Sequence, residues 1–254
     1  KTFGGSGSDQ LSGVFELPDS SIVGIIHQTT QASGNQDGAI VRLDKVGNLI
    51  WQNSYGNSKN DALIDGFYSS QENVIYAMGI VDNSTKDILI LKVDLSGNLL
   101  ESFALDAGSF EKGSSIYEGK NKAIYISCYG DGTQSDMLLI KLDSNHTVEF
   151  GKSYGSAGTD ETGNWGRCFY ESKNNLYLAG YGNGNITNEG FNGYFLKLNN
   201  CGDENCTSQS LNFTKSTEIL TQSTINYTYT NSTNIQTSLV SEANLTINID
   251  TVCF

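Results

Sequence analysis

Proline, histidine and basic residues are scarce in this chain. One proline in 254 residues, beside 28 glycines and abundant Tyr, Phe, Thr, Ser and Asn, suits short strands joined by tight turns. Fifteen Lys and Arg stand against 28 Asp and Glu, a formal net charge of -13. That balance disfavours nucleic acid and anionic membranes as partners, because both need a basic face. No apolar run approaches the ~20 residues that a membrane-spanning helix requires. No basic segment followed by an apolar run opens the chain, so Lys1 reads as a mature end left by a removed leader, or as a boundary within a longer chain. With only His27 and His146 available, no Cys/His group has zinc spacing, and no Gly-x-Ser-x-Gly elbow stands between a strand and a helix. The chain is therefore read as a non-enzyme, with no catalytic residue and no resident metal or cofactor.

Cysteine is also sparse, and its count of five is odd. Cys201 and Cys206 flank a polar, turn-like stretch and are expected to close a small disulfide loop. Cys128 and Cys168 fall in strand-like segments of successive repeats, either bridging them or serving as small buried apolar residues. Cys253 is then left over, as an intermolecular partner or a free thiol.

What is present in abundance is a repeat. Four segments share an acidic or amide residue, an apolar run, a basic residue and a turn: Asp37 to Asp44, Asp87 to Asp94, Asp136 to Asp143 and Asn192 to Asn199. Their basic residues, Arg42, Lys92, Lys141 and Lys197, lie 50, 49 and 56 residues apart. An aromatic-Gly pair keeps the same phase at Phe3-Gly4, Tyr55-Gly56 and Tyr154-Gly155. About twenty residues after each pair comes an apolar strand: Ser21 to Ile26, Val74 to Gly79, Ala123 to Cys128 and Leu176 to Gly180. The turns Asp44-Lys-Val-Gly-Asn48 and Asp94-Leu-Ser-Gly-Asn98 read as hairpin connections, with Gly supplying a positive φ and Asp capping the turn.

Each unit thus supplies four strands, which in the second are Leu63–Ser69, Asn73–Val81, Asp87–Val93 and Asn98–Leu105. The middle two are apolar on both faces, as in Ile88-Leu89-Ile90-Leu91, and this predicts a sheet covered on both sides. The fold class expected is all-β: a β-propeller of about four four-stranded blades plus a C-terminal β-strand tail. Phe3-Gly4-Gly5-Ser6-Gly7-Ser8-Asp9 and Ile90-Leu91-Lys92-Val93-Asp94 resemble the repeat of the bacterial-type β-propeller family. The resemblance covers about residues 1 to 200 and implies a fold and an extracellular setting, with no shared chemistry to carry over. Repeat four is expected to end in its own fourth strand near Ser208–Thr214. Lys1-Thr2-Phe3 looks like the end of another such strand, which either completes blade four or belongs to a further blade.

After Gly202 there is no Gly or Pro, and about half the residues are Thr, Ser or Asn. A boundary is therefore drawn near residue 215, giving a repeat domain (1–215) and a tail (216–254). In the tail, Ile225, Tyr227 and Tyr229 alternate with polar residues, as do Leu245, Ile247 and Ile249, which predicts half-buried strands. These stripes need a partner: their own repeat domain, a continuation of the chain, or a sheet edge of a neighbouring copy. The last would make a head-to-tail contact and a filament.

Eight sequons stand at Asn83, Asn145, Asn185, Asn205, Asn212, Asn226, Asn231 and Asn244, predicting N-linked glycans. Asp44, Asp94 and Asp143 occupy equivalent turns and are read as caps in preference to calcium ligands. The four basic residues of the repeat are read as structural ion pairs or solvated ends. The function expected is a secreted or cell-surface structural glycoprotein that self-assembles through its tail. A carbohydrate-binding, lectin-like or adhesive propeller is the alternative.

Overall fold

A computed structural model describes residues 2–4, 8–29, 36–108, 111–130, 136–154, 168–172, 175–182, 192–199, 201–203, 208–224 and 228–230. After a short first strand, β1 (Thr2–Gly4), come four strands with tight connections: β2 (Asp9–Glu16), β3 (Ile22–Thr29), β4 (Gln36–Leu43) and β5 (Leu49–Gly56). The second unit repeats them as β6 (Asp61–Ser69), β7 (Val74–Asp82), β8 (Lys86–Val93) and β9 (Leu99–Asp106). The third gives β10 (Glu111–Glu118), β11 (Ile124–Gly130), β12 (Met137–Leu142) and β13 (Val148–Tyr154). The fourth gives β14 (Cys168–Ser172), β15 (Asn175–Gly182) and β16 (Asn192–Asn199). Within each unit every pairing is antiparallel between sequence neighbours, so each unit is a meander, here called sheets one to four. The chain is all-β, and its strand bounds in the second unit fall within two residues of those read from the sequence.

The sheets pack face to face in chain order, because alternate residues of each strand are apolar on opposite sides. Val23, Ile25 and Ile40 of sheet one meet Ile75, Leu89 and Leu91 of sheet two. The other face of sheet two sends Tyr76, Met78, Ile88 and Ile90 against Ile126, Cys128 and Ile140 of sheet three. Tyr125 and Leu139, on the far face of sheet three, meet Leu176, Leu178 and Leu196 of sheet four. Neighbouring sheets also touch through their first strands: β2 with β6, β6 with β10, and β10 with β14.

The β4–β5 type turn of each sheet docks on the last strand of the sheet before it. Tyr55 Oη donates to the Gly97 carbonyl at 2.6 Å, and Tyr154 Oη donates to that of Gly202 at 2.6 Å. Gly47, Gly97 and Gly202 take the left-handed conformation at these turns, with φ of 84°, 87° and 72°. In sheet three the equivalent residue is His146, at φ 59°, with Phe103 stacked on its ring, and Leu105 stands in β9 where β5 and β13 have Tyr55 and Tyr154. Its Nε2 lies 2.8 Å from Tyr76 Oη and its Nδ1 3.0 Å from Glu101 Oε2, while Tyr76 Oη lies 2.6 Å from Glu72 Oε2.

The C-terminal segment departs from the sequence-based expectation. Residues 208–210 form β17 (Ser208–Ser210), which pairs with β13 of sheet three and not with sheet four. It is followed by β18 (Thr214–Thr217) on β9 of sheet two and β19 (Thr221–Thr224) on β5 of sheet one. Last comes β20 (Thr228–Thr230), paired with β1. The segment is thus a belt that visits the outer edges of sheets three, two and one in reverse order. The boundary drawn near residue 215 falls inside β18, so the start of the tail is built into the repeat sheets. Strands β18 and β19 are exposed along their length. The pieces between them anchor it, with Leu211 and Phe213 packed at the seam of sheets two and three and Leu220 at that of one and two. Residues 245–249 lie outside the described residues.

Candidate functional site

At the same point in the first strand of sheets one, two and three, the register slips by one residue. The slip falls between Leu11 and Gly13, between Leu63 and Asp65, and between Gly113 and Ser115. The extra residues, Ser12, Ile64 and Ser114, are bulges, which bend a strand and re-aim a side chain. All three line one cavity of about 360 Å³. Gln10, Asp61 and Lys112, from the same three strands, line it too. His27 and Gln36 add wall from sheet one, and Ile80 and Lys86 from sheet two.

Asp61 is the chemically conspicuous group. It begins β6 and is 1 % exposed. Its Oδ2 accepts the Asn57 backbone N–H at 2.7 Å, which closes the loop before the strand. Its Oδ1 is buried without a hydrogen-bond partner. A buried, unpaired carboxylate oxygen costs ~1–3 kcal/mol or more. Burial pushes the Asp61 carboxyl up to about 6, with the charges of Asp37 and Glu218 adding to the rise. Burial likewise raises Asp37. Lys112, which also lines the cavity, is held below its usual range by burial and by the charge of Lys86. The cavity lining thus holds one carboxyl group, Asp61, and two amino groups, Lys86 and Lys112. Ala62, Ile64 and Ile80 supply apolar surface between them.

The residues singled out from sequence fall elsewhere. Asp44, Asp94 and Asp143 cap their turns, each accepting two backbone N–H groups through Oδ1 at 2.7–2.9 Å. Arg42 pairs with Asp19 at 2.6 Å and reaches across to the Leu95 carbonyl; Lys92 pairs with Glu72 at 2.9 Å and Lys141 with Glu149 at 2.5 Å. Lys197 lies on the exposed face of β16. These groups hold turns and seams.

Of the sequons, Asn145 and Asn212 are exposed, on a hairpin tip and between β17 and β18. Asn83 is engaged: its Nδ2 donates to Asp87 Oδ2 at 2.7 Å and to Glu218 Oε1 at 3.1 Å. A glycan on that nitrogen leaves one N–H where two are used, so the fold opposes modification there. Asn185, Asn205, Asn226, Asn231 and Asn244 lie outside the described residues.

Cys128 is buried and Cys201 is exposed. The two cysteines of the expected Cys128–Cys168 bridge stand on different sheets, three and four. Cys128 shares a face with Ile124 and Ile126 and points into sheet two, whereas Cys168 belongs to sheet four on the other side. Of the expected Cys201–Cys206 loop only Cys201 is described; Cys206 and Cys253 lie outside the described residues.

Sequence reasoning passed over Asp61, Lys86 and Lys112. Asp9, Asp61 and Glu111 do recur at the start of each first strand, and that shared phase was the available signal.

No family model matches the chain, and no curated protein does. Among solved structures it is similar to a subtype N10 neuraminidase-like protein of A/little yellow-shouldered bat/Guatemala/060/2010. The identity is 11% and the TM-score 0.49, over 84% of this chain and 60% of that one.

Proposed function

We propose that this chain is an extracellular recognition module: a β-propeller of about four blades, akin to the bacterial repeat type, that holds a small polar ligand in the cavity at its inner strands. One observation carries the reading. Three successive strands each spend a bulge at the same level to line a single cavity, and Asp61, which lines it too, has a buried carboxylate oxygen with no partner. Bulges gather where a strand must re-aim a side chain, and an orphaned buried acceptor is the group that a ligand's donor satisfies. The test is a glycan array and a thermal-shift screen of small polar metabolites, run on the whole protein and on Ser12→Trp, whose indole fills the cavity. Hits on the parent that vanish in the variant support the module; hits that persist, or none at all, reject it.

A second reading, a self-assembling structural glycoprotein, draws on the far face of sheet four. Phe195 is 70% exposed there and stacks on Tyr177 at 5.7 Å, and Asn145 and Asn212 offer open sequons. Concentration-dependent light scattering that Phe195→Glu abolishes would favour it. In this reading the belt strands are not free connectors, since β18 and β19 already pair with their own sheets.

A further inference from the structure

Sheets one to three share one plan. Their strand orders are β2-β3-β4-β5-β19, β6-β7-β8-β9-β18 and β10-β11-β12-β13-β17, four strands of the repeat closed by one strand of the belt. Sheet four stops at β16, with no strand on its outer side among the described residues. Conversely, β1 and β20 form a two-stranded sheet that has no inner strands among them. The register makes these pieces two halves of one object. The belt meets Tyr154, Leu105, Tyr55 and Phe3 at Ser208, Lys215, Gln222 and Tyr229, a step of seven residues from each sheet to the next. Phe3 thus holds in β1 the position that Tyr55 holds in β5, and β20 is a belt strand laid on an outer strand.

Resting on the self-assembly reading, we propose that the β1–β20 pair of a second copy of this chain adds to the open edge of β16. A free edge offers a row of backbone N–H and C=O groups, which an added antiparallel strand satisfies. The repeat also dictates the register. Tyr55, Leu105 and Tyr154 lie opposite Gly38, Ile88 and Met137, each four residues before the basic residue of its strand. Four residues before Lys197 stands Gly193. The contact therefore sets Phe3 opposite Gly193, Thr2 opposite Tyr194 and Gly4 opposite Asn192. Within one chain the halves stay apart, since among the described residues β1 shares a ladder with β20 alone. Phe195 marks the same vacancy. Its counterparts Ile40, Ile90 and Leu139 are each 0% exposed, packed against the sheet that follows, whereas Phe195 is 70% exposed. The chain's own sheets leave that face bare, so the missing layer comes from a neighbour. Donor pair and acceptor edge are different surfaces, and such a head-to-tail contact propagates unless it closes into a ring.

The test starts with sedimentation velocity of the unaltered protein from micromolar to several hundred micromolar, where concentration-dependent growth is expected. Thr2→Cys and Tyr194→Cys chains, each checked for an unchanged melting transition, are then mixed and oxidised with glutathione disulfide. Directly opposed residues of paired strands bring their Cβ atoms to ~5 Å, close to disulfide reach. The disulfide-linked mixed dimer is expected at least tenfold above the yield from Thr2→Cys with Lys197→Cys, which is out of register. The parent, oxidised alike, sets the background from the native cysteines. Oligomers that form without the register-specific cross-link overturn this contact and leave self-assembly standing. A cross-link found only in the doubly substituted chain at high dilution overturns it in favour of closure by the chain's own β1. A parent that stays monomeric at every concentration rejects the contact and the self-assembly reading together.

Discussion

Along their inner edge, sheets one to three end in strands β2, β6 and β10, each bulged, around a cavity that leaves a carboxylate oxygen unpaired. Along their outer edge, β5, β9 and β13 are each covered by a strand of the belt. The same three sheets thus tolerate an unsatisfied group on one side and seal the backbone on the other. An open strand edge invites pairing with any extended chain, so covering it protects the monomer. An unpaired buried acceptor only lowers stability, and a ligand can restore what it costs. The two edges therefore separate a requirement of folding from a candidate requirement of function.

The comparison breaks most visibly if the belt is removed. A chain ending at residue 207 loses β17, β18 and β19 together with the burial of Leu211, Phe213 and Leu220. With each of these half-buried side chains worth ~1–2 kcal/mol, the expected loss is about 3–6 kcal/mol, accompanied by aggregation. Urea denaturation and light scattering check this; a monomer of unchanged midpoint would show the belt to be ornamental.

Next in size is the inner edge. Because burial raises the Asp61 carboxyl from 3.8 to about 6, the folded chain binds that proton more tightly than the unfolded chain does. The penalty for ionising it is absent below about pH 4, grows between pH 4 and 6, and is complete above, where it reaches at most ~3 kcal/mol. Asp61→Asn keeps an acceptor for the Asn57 N–H and removes the charge. It is expected to be more stable than the parent at pH 7 to 8 and to lose that advantage as the pH falls to 4. Parallel melting curves across this range would contradict the assignment. A gain in stability coupled to a loss of binding is the signature of a site kept under strain for use.

The seam between sheets two and three offers a third comparison, internal to the repeat. His146→Gly restores the residue found at the other three turns and eases the positive φ, yet it removes the bonds to Tyr76 and Glu101 and the stack on Phe103. The bonds outweigh the relief, and a net loss of about 1–2 kcal/mol is expected by denaturant titration. Tyr154→Phe, which deletes one hydroxyl donor to Gly202, is expected to cost ~1 kcal/mol. Smallest of all is Ser12→Ala at the inner edge, within ~0.5 kcal/mol of the parent. A larger cost there would mean that the bulges serve the fold first.

Much of the outer architecture was legible in the sequence because it rests on local chemistry. The turn Asp-x-x-Gly-Asn dictates a hairpin wherever it occurs, and Ile88-Leu89-Ile90-Leu91 declares a strand covered on both faces. The belt was not legible. Thr214-Lys-Ser-Thr and Thr221-Gln-Ser-Thr contain no apolar residue, and they are strands only because β9 and β5 offer backbone partners more than a hundred residues away. The cavity escaped for a related reason. A bulge is a property of two strands in register, so nothing in Leu11-Ser12-Gly13 alone says that Ser12 is extra. Cys128 shows the limit from the other side: alternation gives which residues share its face, but not which neighbouring sheet that face meets.

The reversed order of the belt also sets a clock on synthesis. Sheet one is complete once Gly56 has emerged, but the strand that covers its edge begins at Thr221. At ~5–20 residues per second, about ten to thirty seconds separate the two. During that interval the nascent chain carries open β edges, first one and then three, and they close in the opposite order to their making. A slow codon or a pause before residue 208 lengthens the exposure without altering the finished molecule. The yield of this protein is thus expected to depend on how quickly its last strands arrive and on what the cell supplies to shield the first ones meanwhile.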